Sequence, residues 1–352
     1  MSVHSGTIGL LRSFYRSIFQ RISVAAAAVT CALAALGWPT SDALAQERCD
    51  WPAFEKPCQV PGGVYRALAP SGPGPHRTVV YLYGSTGHSR EITEAAFFQQ
   101  IVDQFDYALI VPAAKDVNYR GGTRDTGWSL RHGQKTRDEV SFLKAVLQDA
   151  EERFSIDREN ILFMGQSRGG FLIWELACHN PELGSAWAVH AGGYLGPLPE
   201  RCKQPVKFLH THGTEDRIVR YSGMRDVSGD TDMVSVNSAL AMLQRTNDCD
   251  PRSEAPDGRI GPFTRYEYRG CDQDGALQLM LHKGGHSFPG AWFKTVIDWF
   301  EGVNSGPGRL QAADPSNQGK SIRFQGSSTG GLLNRNASGE TAGGRFKSVP
   351  SQ

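Results

Sequence analysis

Beyond its N-terminal region the sequence has no apolar run long enough to cross a bilayer as a helix, so nothing later in the chain reads as a membrane span. It also lacks an excess of one charge, with 37 Lys and Arg against 36 Asp and Glu in 352 residues. That balance conceals a split. Three arginines against one aspartate make residues 1–45 basic, and six basic against two acidic residues do the same for residues 304–352, leaving the middle near −5. The middle therefore carries no footprint for nucleic acid. No Cys-x-x-Cys pair or Cys/His cluster has zinc-site spacing, and nothing in the pattern implies a metal or an organic cofactor. Internal repeats are absent too.

What is present begins with an export address. Arg12, Arg16 and Arg21 precede an alanine-rich apolar stretch, Ile22 to Gly37, and Ala43-Leu44-Ala45 has the form of an A-x-A cleavage site. The pattern predicts a signal peptide over residues 1–45, a mature start at Gln46, and a secreted or periplasmic location. The competing reading, an uncleaved anchor, requires a longer apolar stretch. The remaining 307 residues suffice for one large domain. Cys31 leaves with the signal. Cys49, Cys58, Cys178, Cys202, Cys249 and Cys271 stay, an even number that predicts three disulfides. Six cysteines allow about fifteen pairings; sequence neighbours give the simplest one, Cys49–Cys58, Cys178–Cys202 and Cys249–Cys271.

Along the mature chain, short β-branched and aromatic runs alternate with amphipathic segments. Strands are predicted near Gly63–Ala69, Thr78–Tyr83, Tyr107–Ala113, Ile161–Met164, Ala186–His190, Val206–Thr211, Arg265–Arg269 and Leu277–His282. Helices are predicted near Arg90–Phe105, Asp138–Phe154, Phe171–Cys178, Asp232–Arg245 and Pro289–Phe300. Alternation of this kind implies a mostly parallel sheet with helices on both faces. Asp116 to Arg137 shows no periodicity. Residues 304–352 turn to Gly, Ser, Asn and isolated charges, the composition of a disordered tail after a domain over 46–303.

The chemistry centres on Gly165-Gln166-Ser167-Arg168-Gly169, which follows the apolar run Ile161–Met164 and precedes an apolar segment. A strand, a sharp turn at Ser167 and a helix would form a nucleophile elbow, exposing the hydroxyl above the sheet. Gly165 and Gly169 suit so tight a turn, and the helix start offers free N–H groups to an anion. The plainer alternative is a glycine-rich strand-to-helix turn. A serine hydroxyl needs a base, and the base an orienting carboxylate, in the chain order Ser, acid, His on such a sheet. Two later stretches fit: His210-Thr211-His212-Gly213-Thr214-Glu215-Asp216, after a strand, and Gly284-Gly285-His286-Ser287-Phe288-Pro289-Gly290, between the last strand and the last helix.

These three segments together resemble the secreted α/β-hydrolase esterases that include short-chain polyhydroxyalkanoate depolymerases and feruloyl or acetyl-xylan esterases. That family carries Gly-x-Ser-x-Gly-Gly, His-Gly-Thr-x-Asp-x-x-Val-x-Tyr and Gly-Gly-His-x-Trp-Pro-Gly, matched here by Gly165–Gly170, His212–Tyr221 and Gly284–Gly290. Asp157 with Asn160-Ile161 resembles the family's Ile-Asp-x-x-Arg-Val-Tyr lead-in to the elbow. The resemblance spans roughly Thr78 to Gly302. It implies the α/β-hydrolase fold and a serine esterase acting on a small or polymeric ester, with Ser167 as nucleophile, Asp216 as acid and His286 as base. Glu215 is the rival acid but falls on the motif's variable position. The oxyanion hole is expected from the backbone N–H of Arg168 and, from the loop after the Thr78–Tyr83 strand, of Ser85. The chain departs from the family three times. Tyr83 stands where a histidine is usual, which bears on the support of that loop; Phe288 replaces tryptophan as an aromatic wall; and Arg168 is a bulky cation after the nucleophile, read either as facing substrate or as a salt-bridged helix residue. Trp128, within Asp116–Arg137, is a candidate for framing the substrate pocket; the competing reading is a single packed tryptophan in a surface loop. His212 and the remaining histidines (His88, His132, His179, His190, His210, His282) read as structural or solvated. A peptidase or acyltransferase on the same triad, and a catalytically silent polysaccharide- or polyester-binding module, are the alternatives.

Overall fold

The computed structural model describes Cys49 and residues 56–85, 87–118, 124–130, 137–224, 232–272 and 274–304. The expected signal peptide, the expected tail beyond Asn304 and His132 lie outside the described residues. The described strands are β1 (Cys58–Val60), β2 (Gly63–Leu68), β3 (His76–Leu82), β4 (Ala108–Pro112), β5 (Lys115–Asn118), β6 (Arg124–Gly127), β7 (Ile156–Gln166), β8 (Ala186–His190), β9 (Lys207–Gly213), β10 (Gly258–Ile260), β11 (Phe263–Tyr268) and β12 (Ala276–His282). The helices are α1 (Ser89–Glu94), α2 (Ala96–Asp103), α3 (Glu139–Phe154), α4 (Arg168–His179), α5 (Val236–Thr246) and α6 (Trp292–Asn304).

Ten strands form one sheet in the order β1-β2-β4-β3-β7-β8-β9-β12-β11-β10. The six central strands, β4 to β12 in that order, are parallel. Helices cover both faces of such a sheet, which is why β4, β8 and most of β3 and β9 are buried residue after residue and read as continuous apolar runs. Both edges are finished by antiparallel strands, β1 and β2 on one side and β11 and β10 on the other. This is the α/β-hydrolase architecture that the motifs implied. Because the central strands are parallel, the ends of β3, β7, β8, β9 and β12 lie along one edge, the edge where α/β sheets carry their sites.

The helices follow local chemistry. Asp138 caps α3 by accepting from Val140 N and Ser141 N, and Ser155 ends it in the left-handed region at φ 50°. Ser235 caps α5 by accepting from Ser238 N. The helix expected over Arg90–Phe105 is in fact two, broken at Ala95, whose ψ is 123°. The Thr93 hydroxyl donates back to Ser89 O and Arg90 O, a side-chain competitor that bends helices. The aperiodic stretch Asp116–Arg137 contains the small hairpin of β5 and β6, and β10 adds an edge strand whose residues are all exposed; neither has a sequence signal. No helix among the described residues is long and apolar enough to cross a membrane.

Three disulfides join sequence neighbours: Cys49–Cys58 at the start of β1, Cys178–Cys202 between the last turn of α4 and the approach to β9, and Cys249–Cys271 between the turn after α5 and the end of β11. Each closes a loop of 9 to 24 residues. Titration of the folded protein should therefore find no free thiol among these six cysteines, and the Cys178→Ser/Cys202→Ser pair of changes should lower the unfolding free energy in urea by about 2–5 kcal/mol. Two or more titratable thiols in the native protein would contradict the pairing.

Candidate active site

Ser167 lies between the end of β7 and the first residue of α4, with φ 52° and ψ −124°. A positive φ is strained for a residue with a Cβ, at about 1–3 kcal/mol, and such strain collects at functional turns. Two backbone bonds hold it, from Ser167 N to His190 O at 3.0 Å and from Phe171 N to Ser167 O at 3.0 Å. Gly169 permits the turn, since a methyl there would collide with Leu82 O of the adjacent strand. The backbone of Gly84 lies against the serine: a Cβ added there would stand 3.7 Å from Ser167 Oγ.

Asp216 and His286 sit on loops after β9 and β12, which pair in parallel register. The loops are joined by their own backbones, Thr214 N to His282 O at 2.9 Å and Glu215 N to Gly284 O at 2.8 Å. The Asp216 side chain is fully buried, and its Oδ1 accepts from Ile218 N at 2.8 Å and Val219 N at 2.9 Å. Its Oδ2 accepts from His286 Nδ1 at 2.8 Å. Glu215 is exposed, with only its backbone engaged in this joint. Gln166, the residue before Ser167, donates from Nε2 to His286 O at 3.2 Å and ties the histidine loop to the elbow. The sequence gives no sign of that tether.

The other expected site residues fall in two groups. Ser85 is exposed in the turn after β3, and Phe288 is half-buried, its ring stacked at 5.0 Å on Trp292 and at 6.0 Å on Phe97. Trp128 is the residue expected to frame the substrate pocket, with a packed tryptophan as the competing reading. It is fully buried and donates from Nε1 to Tyr83 O at 2.7 Å, so it braces the loop after β3. Arg168 donates from Nε to Trp128 O at 3.0 Å. The Tyr83 hydroxyl accepts from Ala114 N at 2.6 Å, which is what tyrosine provides at the departure from the family's histidine.

Beneath the site lies a layer of buried histidines. His212 Nε2 donates to Val219 O at 2.8 Å, so its Nδ1 is the acceptor for His210 Nε2 at 3.0 Å. His212 Nε2 also lies 3.6 Å from Asp216 Oδ2. The Thr211 hydroxyl donates to Val189 O at 2.8 Å and accepts from Trp292 Nε1 at 2.8 Å, so His190 Nδ1 is the donor in its 3.0 Å bond to Thr211. His190 stacks on His282 at 5.4 Å. Burial lowers all four basicities, reinforced by neighbouring histidines: His282, His212 and His286 for His190, and His212 and His190 for His210. Val219 O, and the Asp216 charge, oppose the shift of His212. Their place inside all-buried strands was the available signal, because an imidazole there is neutral unless paired.

No protein-family model matches the chain. It is 28% identical over 164 residues to feruloyl esterase D of Neurospora crassa, covering 46% of this chain and 51% of that one. It is 22% identical over 233 residues to the bifunctional acetylxylan esterase/xylanase XynS20E of Neocallimastix patriciarum, covering 66% and 31%. It is 24% identical over 248 residues to the putative esterase NocK of Nocardia uniformis, covering 64% and 69%. The chain thus resembles feruloyl and acetylxylan esterases, and it spans about half the length of the feruloyl esterases it matches. Among solved structures, an acetyl xylan esterase from Aspergillus awamori aligns at a TM-score of 0.48 and 16% identity, over 68% of this chain and 93% of that one.

The histidine layer sets a pH dependence. Unfolded histidine titrates near 6.5, whereas folded His190 and His210 titrate well below it. Above about pH 6.5 neither state binds the extra protons; below it the unfolded chain takes them up and the fold does not, so stability falls with falling pH. Each fully buried histidine adds a slope of up to about 1.4 kcal/mol per pH unit. Urea unfolding should show a plateau from pH 8 to 7 and a decline from about pH 6.5 downward, shallower in His210→Phe. Stability that is flat or rising down to pH 5 would contradict the neutral layer.

Proposed function

We propose that this chain is a serine hydrolase of carboxylic esters, with Ser167 as nucleophile, His286 as general base and Asp216 as the orienting acid. The observation that carries the reading is the 2.8 Å bond from His286 Nδ1 to a carboxylate whose other oxygen is occupied by two backbone donors. With its proton committed to Asp216, Nδ1 leaves Nε2 as the basic nitrogen. Ser167 Oγ attacks the ester carbonyl as Nε2 takes its proton, and the imidazolium is stabilised by Asp216. The N–H groups of Arg168 and Ser85 receive the developing oxyanion. Nε2 then protonates the departing alcohol, and water activated by the same nitrogen releases the acid. The resemblance to feruloyl and acetylxylan esterases supports esters of carbohydrate-linked acids as the first class to screen. The three disulfides support an exported protein, because reducing compartments keep thiols unpaired.

On the best substrate from a panel of p-nitrophenyl, acetyl and feruloyl esters and hydroxybutyrate oligomers, Ser167→Ala should lower turnover by ~10⁴-fold or more. Asp216→Asn should lower kcat by ~10³–10⁴-fold through the wrong imidazole tautomer, while Glu215→Gln stays near the wild-type rate. A crippled Glu215→Gln beside a near-normal Asp216→Asn would overturn the acid assignment, and an active Ser167→Ala the mechanism.

A further inference from the structure

The loop after β3 is expected to supply half of the oxyanion hole, yet its own backbone bonding is thin. Among the described residues the turn is closed by Gly87 N to Gly84 O at 3.4 Å, and Ser85 is exposed. What fixes the loop is a run of side-chain bonds from elsewhere. Trp128 Nε1 donates to Tyr83 O at 2.7 Å, directly before Gly84 and Ser85, and the Tyr83 and Trp128 rings meet at 5.4 Å. Trp128 O in turn accepts from Arg168 Nε at 3.0 Å. The segment bearing Trp128 is itself anchored: Ser129 N donates to buried Glu139 at 2.9 Å, Glu139 pairs with Arg137 at 2.7 Å, and Arg137 donates to Ala113 O at 3.0 Å. Next to Ala113, Ala114 N donates to the Tyr83 hydroxyl at 2.6 Å, closing the circuit.

We propose that Trp128 and the Arg168 side chain are positioning residues that set the distance between the two oxyanion donors. Arg168 stands at both ends of the relation. Its backbone N–H is one donor, and its guanidinium, through the carbonyl and indole of Trp128, holds the strand end that leads to the other, Ser85. Without the relay the Gly84–Ser85 backbone has rotational freedom beside Ser167. A hole whose donors drift by about 1 Å loses transition-state stabilisation on the order of 10²-fold, with ester binding little affected. The inference rests on the esterase reading above.

The test compares Trp128→Phe, which keeps an aromatic ring and removes the N–H, with Arg168→Met, which removes the guanidinium from a half-buried helix start and keeps its backbone donor. On the best p-nitrophenyl ester each should lower kcat by ~10–100-fold with KM little changed. Inhibition by a trifluoromethyl ketone, which forms a tetrahedral adduct, should weaken by the same factor as kcat/KM falls, while inhibition by a non-hydrolysable ether analogue stays constant. The pH midpoint of the rate should not move, since His286 is untouched. The double variant should be little worse than either single one, because both cut the same relay. Wild-type kcat in both single variants would overturn the inference, as would equal weakening of the ketone and the ether. Ser167→Ala in the same assay separates the two levels. If it is inactive while both relay variants turn over normally, the relay alone fails; if it retains activity, the esterase reading fails and takes the relay with it.

Discussion

The Asp216 carboxylate divides its two oxygens between two tasks. Oδ1 is filled by the backbone of Ile218 and Val219, which fixes the carboxylate to its own loop. Oδ2 is left to face His286. That division depends on the two loops being in register, and the register comes from the sheet: β9 and β12 are parallel neighbours, so their ends arrive side by side and their loops bond through Thr214 and Glu215. The elbow strand β7 lies two places away, with His190 at the end of the intervening strand β8 accepting from Ser167 N. Residues far apart in sequence are thus brought to one edge of the sheet by parallel pairing and a few backbone bonds.

Much of this was legible in the chain. The central strands announced themselves because strands buried on both faces must be apolar throughout. The elbow announced itself because a strained strand-to-helix turn demands small neighbours around Ser167. The break at Ala95 did not, since the amphipathic pattern runs through it; the Thr93 hydroxyl bonds back to Ser89 O and Arg90 O just before it. Trp128 sits in a polar, aperiodic stretch and bonds the carbonyl of Tyr83, 45 residues earlier, a contact whose range leaves no local periodicity. The same holds for Gln166 and His286, joined across 120 residues.

The histidines show what the site demands of the core below it. Among the described residues, His210 Nδ1 and the Trp174 indole are buried without a side-chain or backbone hydrogen-bond partner. A buried polar atom without a partner lowers stability by about 1–3 kcal/mol. Local rules of core composition are broken most readily beside functional groups. These histidines lie on β8, β9 and β12, and the proposed acid and base sit on the loops that follow β9 and β12.

The central claim is that Ser167 is made reactive by the base and acid on these loops together with the oxyanion donors beside it. The direct measurement is stoichiometric labelling with a fluorophosphonate probe, followed by mass mapping of the adduct. The account predicts one adduct per folded chain, on Ser167, and none on the urea-unfolded protein, where the hydroxyl has neither base nor oxyanion hole. An adduct on another residue, or a folded protein that remains unlabelled, would contradict it.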